Sequence, residues 1–120
     1  MERIVSVVPW AIAFIGGWTL LNGLLHDVFV LAQGRKYDRD LLRLLLDGHV
    51  LITNGLVLLL ASYGIWKQET WGILLAALAS CSVLVYCSLI FPFLKSFGMM
   101  GLHFSGLLLL AFLFIHYKNK

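Results

Sequence analysis

Four long apolar runs separated by short polar stretches set the pattern of this chain. The runs cover about Val7–Leu31, Leu42–Gly64, Trp71–Leu94 and Gly98–Tyr117, and the breaks read QGRKYDRD, IWKQET and KSFG. Each run reaches the roughly 20 residues that a helix needs to cross the hydrocarbon core of a bilayer. Their residues do not alternate in polarity as the strands of a membrane barrel would. The pattern therefore predicts an all-α integral membrane protein, a four-transmembrane-helix bundle forming a single domain over residues 1–120. Short turns make neighbouring spans antiparallel, up-down-up-down. Asp40, ahead of LLRLLL, is the expected N-cap of the second helix. Pro92 is expected to kink or end the third.

This topology puts both termini and the second turn on one side, side A, and the first and third turns on side B. Trp10, Trp66, Trp71 and Tyr117 all fall at the side A boundary, where an aromatic belt is expected. Side A carries Arg3, Lys67, Lys118 and Lys120, against Arg35, Lys36, Arg39, Arg43 and Lys95 on side B. The cluster in the first turn favours side B as cytoplasmic, and a balance this close is also what a protein inserting both ways would show.

Composition supports the membrane assignment. Of 120 residues, 61% are hydrophobic and 12% charged, whereas soluble domains carry about a quarter charged residues. A net charge of +3, spread among the turns, gives no footprint for nucleic acid. The charged start and apolar run of MERIVSVVPWAIAFIGGW continue past signal-peptide length without a small-residue cleavage site, so the segment reads as a retained first span. Cys81 and Cys87, six apart on one helix, point to different faces and cannot pair with each other.

Candidate chemistry lies in the stretch NGLLHDVFVLAQGRKYDRDLLRLLLDGHVLITNG, Asn22 to Gly55, which places His26, Asp27, Asp47 and His49 inside apolar sequence. Counting about 1.5 Å per helical residue, His26 and His49 lie roughly 10 Å in from the first turn and His103 roughly 8 Å in from the third. Three of the four histidines thus reach one level on three helices. Asp27 and Asp47 flank that level, Tyr86 and Cys87 lie near it, and Asn22 and Asn54 form a deeper layer. On the first span, Gly16, Thr19, Asn22, Gly23, His26 and Asp27 share an arc of about 140° and should face other helices. On the second span His49 and Thr53 share one face and Asp47 and Asn54 another. On the fourth, Gly98, Gly101 and Ser105 make a small-residue face suited to close packing.

Ionisable groups at membrane depth are costly and mark functional sites by default. Imidazoles from several helices of a bundle can hold haem or a transition metal, with a carboxylate orienting the ligating ring. The leading expectation is accordingly a small membrane protein holding haem or a metal ion through His26, His49 and His103. Asp27, Asp47, Asn22, Asn54 and Tyr86 would be supporting groups, and the role electron transfer or a subunit's part in a larger membrane complex. Gly23 with Gly48 or Gly55 would make room for the ring, and the Met99/His103 spacing would suit a soft metal. Two other readings compete: a small proton-coupled transporter acting as an antiparallel dimer, and a ligand-free structural or assembly subunit. Structural explanations also exist residue by residue: a hydrogen bond between His26 and His49, an ion pair of Asp27 with Arg35 or Lys36, and a local pair of Asp47 with Arg43. His116, beside Tyr117 and Lys118, belongs to the interface.

No HExxH, CxxC, CxxCH, phosphate-binding glycine loop or GxSxG is present. Ser80, Ser82, Ser88 or Ser105 with a histidine and an aspartate would be needed for an intramembrane hydrolase, and a histidine-held zinc for a lipid-modifying enzyme; no residue is assigned a catalytic role. The expected partners are the lipid bilayer and either further copies of the chain or a larger membrane complex. The expected location is the cytoplasmic membrane of a prokaryote.

Overall fold

The structure, a computed structural model, describes residues 2–120. It is all-helical: α1 (Glu2–Ala32), α2 (Arg39–Trp66), α3 (Thr70–Ile90) and α4 (Phe97–Lys118), each long and apolar enough to cross a membrane.

The helix ends follow local chemistry. α1 gives way to a turn in which Gly34 adopts φ +63°, the left-handed conformation glycine takes without strain. The N-cap of α2 is Asp38, not Asp40. Asp38 keeps an extended backbone and accepts the Leu41 N–H at 2.9 Å. Asp40 falls inside the first turn, where its charge suits the positive end of the helix dipole. α2 closes in a Schellman turn: the Glu69 N–H reaches the Gly64 carbonyl at 2.9 Å and the Gln68 N–H that of Ile65 at 2.9 Å. This forces Gln68 to φ +60°. α3 stops at Ile90, short of the expected Leu94, because Pro92 has no amide to continue the ladder.

The most extensive interface joins α1 and α2; α2–α3, α3–α4 and α1–α4 follow. Glycines set the first of these. Gly16 and Gly23 on α1 meet Gly55 and Gly48 on α2 in opposite chain directions. A Cβ placed on Gly23 would come within 2.6 Å of the Gly48 carbonyl oxygen, and one on Gly55 within 2.6 Å of the Leu20 nitrogen. The facing helix thus fills the space at each glycine, with backbone at Gly23 and Gly55, the Leu58 Cβ and backbone at Gly16, and the Asp27 side chain at Gly48. The space expected opposite a haem ring is occupied by protein, which overturns that part of the expectation.

The buried apolar core gathers at the end near the chain termini. It is built from Val8, Ile12 and Ile15, Leu58 and Ala61, Ile73 and Ala76, and Leu110 and Leu113. The opposite end, around the first and third turns, is open. Between the two lies a buried polar layer.

Candidate functional site

That layer is built around His103, which is fully buried on α4. Its Nε2 lies 2.9 Å from Thr19 Oγ1 on α1, and its Nδ1 3.4 Å from Ser80 Oγ on α3. The Thr19 hydroxyl donates to the Ile15 carbonyl at 2.7 Å. A threonine has one proton to give, so its oxygen accepts from Nε2–H and leaves Nδ1 to accept from Ser80. The imidazole is thereby neutral, satisfied at both nitrogens, and bonded to α1 and α3 from α4. Met99 Sδ approaches Thr19 Oγ1 at 3.7 Å.

Above this layer all four helices and the α3–α4 turn line a half-open cavity of about 920 Å³. Its polar wall carries Asn22 and His26 from α1, Asp47 from α2, Tyr86 from α3 and Ser96 at the start of α4; Met99 links it to the layer below. Trp18, Phe29 and Phe93 add aromatic surface, and Leu44, Leu51 and Ile90 aliphatic surface. The cavity therefore has a polar band set in an apolar wall.

His26 Nδ1 lies 3.3 Å from Asp27 Oδ1, the one histidine–carboxylate contact among the described residues, which show no Lys or Arg paired with a carboxylate. Asp27 does not reach Arg35 or Lys36. Its carboxylate instead occupies the space a side chain at Gly48 would need, so glycine at 48 and aspartate at 27 fit together. Asp47, half-buried, makes no hydrogen bond and no ion pair among the described residues, and the local pair with Arg43 does not form. Ser96 Oγ is buried without a partner among the described residues.

The expected site residues divide. The stripe on α1 faces inward: Gly16, Thr19 and Gly23 are buried, and Asn22, His26 and Asp27 half-buried. Asp47 and Tyr86 join His26 and Asn22 at the cavity. His49 does not; two residues from Asp47, about 200° around the helix, it is exposed on the outer face. His26 and His49 form no hydrogen bond, and His103 is committed to Thr19 and Ser80. The three histidines share neither a face nor a level: His103 meets Thr19, seven residues and about 10 Å deeper along α1 than His26. No group of three or more His, Cys, Asp or Glu among the described residues is placed to hold a metal ion. Asn22 and Asn54 do not meet as a layer; each donates to its own helix, to the Trp18 carbonyl at 2.7 Å and the Val50 carbonyl at 2.8 Å. Gly98, Gly101 and Ser105 lie exposed, with open space beside both glycines. Ser80 is the serine that reaches a histidine, but the far ring nitrogen meets a threonine where a triad needs a carboxylate.

Sequence reasoning missed the Thr19–His103–Ser80 layer and the aromatic wall. Thr19 lay on the inward stripe, yet nothing in the chain pairs it with a residue 84 positions away. No protein-family model, curated protein or solved structure matches this chain, so its functional reading stands on the cavity.

Proposed function

We propose that this is an integral membrane protein, an up-down-up-down four-helix bundle, that binds an amphipathic small molecule in the cavity at one end. The observation that carries this reading is the cavity: about 920 Å³, within the range of ligand sites of about 300–1,000 Å³, with few polar groups converging in an apolar wall. The outer faces support membrane residence. Leu78, at 68% exposure, Phe14 and Val28 stand free where lipid would cover them. Closure by core packing at one end and by the His103 layer below gives the cavity a floor, so a ligand enters from the side B end or laterally from lipid.

Native mass spectrometry of protein released from lipid nanodiscs tests the reading. Wild-type protein should retain a small-molecule adduct that a Gly98→Phe variant loses at unchanged helicity. Position 98 lines the cavity, and a Cβ added there meets nothing within 4 Å. Wild-type protein free of adducts, or equal retention by the filled variant, would overturn it.

A second reading, transport by two chains inserted in opposite senses, draws on the near-equal count of basic residues at the two ends. Mapping the side of each terminus decides it: a single fixed orientation removes its support.

A further inference from the structure

We infer that the cavity takes a lipophilic organic cation, with the Asp47 carboxylate as its counter-charge. This rests on the cavity being a ligand site and adds the chemical class of the ligand.

The charges around the cavity leave one residue uncompensated. Asp47 is the only carboxylate on its wall among the described residues, and no Lys or Arg lines it. Each basic group that could neutralise Asp47 is otherwise placed. Arg43, one turn earlier on the same helix, is exposed and forms no ion pair with it. Lys95, in the α3–α4 turn, is exposed and lies off the wall. His26 pairs with Asp27 at 3.3 Å and forms no ion pair with Asp47. The wall is therefore net negative at Asp47. About 12 Å along α2 from its start, a carboxylate without a protein partner depends on water in the cavity or on a bound cation, since hydrocarbon alone would make it costly. A bound cation would offset that cost.

The rest of the wall decides which kind of cation. Small inorganic ions require several oxygen ligands at short range, whereas here no metal-holding group of side chains forms among the described residues, and the wall sets one carboxylate and a few neutral polar groups among leucines and aromatic rings. Trp18, Phe29, Tyr86 and Phe93 come from α1, α3 and the α3–α4 turn. Aromatic surroundings of this type favour quaternary and other diffuse organic cations. A cavity of about 920 Å³ admits a drug-sized body.

Equilibrium binding of three probes to the detergent-purified full chain tests the inference: cationic tetraphenylphosphonium, neutral triphenylphosphine oxide and anionic tetraphenylborate. Wild-type protein should bind the cation about tenfold or more tightly than the neutral probe and the anion weakest. Asp47→Asn should abolish the difference and Asp47→Glu keep it. Equal wild-type binding of cation and neutral probe, both lost in Gly98→Phe, would overturn the cation inference while leaving the cavity as a site. No wild-type binding of any probe, or binding unaffected by Gly98→Phe, would overturn both. Should Asp47→Asn fail to fold, the wild-type ratio and the Asp47→Glu variant still decide.

Discussion

Removing Thr19 and removing His103 should have unequal effects, although the two side chains share one hydrogen bond. Thr19→Val takes the acceptor from a ring that remains fully buried. Either tautomer then leaves one imidazole nitrogen unpaired, at a cost of about 2 kcal/mol. His103→Leu keeps the volume and leaves two hydroxyls. Thr19 already donates to the Ile15 carbonyl, and Ser80 can turn to its own helix in the same way. The loss should be about 1 kcal/mol or less, in line with interhelical hydrogen bonds in membranes. Unfolding in detergent micelles by added SDS, followed by circular dichroism, measures both. A larger loss from His103→Leu than from Thr19→Val would contradict the assigned bonding. The same residues show how far the sequence could be read. Depth counted from the turns put His26, His49 and His103 at one level, but His103 meets Thr19, about 10 Å deeper along α1 than His26. Counting within one helix does not fix how far it slides against its neighbours. Rotation requires knowing which face meets a neighbour, and that depends on contacts between helices. Asp47 and His49 illustrate it: two residues apart, one lines the cavity and the other is exposed.

At the level of elements, four apolar runs became four helices because each could satisfy its own backbone, whatever its neighbours do. The ends shifted by a few residues where a side chain overrode hydropathy, as with the Asp38 cap and the stop before Pro92. The α1–α2 interface was half legible. An inward stripe containing Gly16 and Gly23 could be read from one helix, but whether those glycines make room for a ligand or for a backbone could not. Their seven-residue spacing, matched by Gly48 and Gly55, brings two helices together every second turn. Gly55→Leu should therefore separate α1 from α2 and lower stability by at least about 3 kcal/mol. Gly101→Leu, on an exposed face with nothing within 4 Å of the added carbon, should be neutral or mildly stabilising. The same SDS titration ranks them, and equal effects would count against glycine-set packing. At the α2–α3 turn, Gln68→Gly should stabilise by about 1 kcal/mol, since glycine adopts φ +60° without the side-chain clash that glutamine bears. A fall in stability would mean that the glutamine side chain contributes more than its backbone strain removes.

Across the whole molecule, packing is uneven: an apolar core fills the end near the termini, a polar layer crosses at His103, and the far end opens into the cavity. In a soluble protein, reactivity toward an aqueous reagent follows surface exposure. In a bilayer it follows access to water, and the two orders differ here. Leu78, 68% exposed in the middle of α3, would be covered by lipid, whereas half-buried Asn22, about 15 Å along α1 from its end, would meet water through the cavity. In a background with Cys81 and Cys87 changed to serine, Asn22→Cys should react with charged methanethiosulfonates in proteoliposomes and Leu78→Cys should not. Labelling of Leu78→Cys alone would reject both membrane burial of that face and a hydrated cavity. The charge of the reagent adds a second axis. If Asp47 sets the potential inside, the trimethylammonium reagent should modify Asn22→Cys several-fold faster than the sulfonate reagent. Asp47→Asn should bring the two rates together, once each is divided by its rate with a free thiol. Because Asp47 is the wall's one uncompensated charge among the described residues, a rate ratio unchanged by that substitution would place the source of selectivity outside the cavity, in the basic residues of the turns.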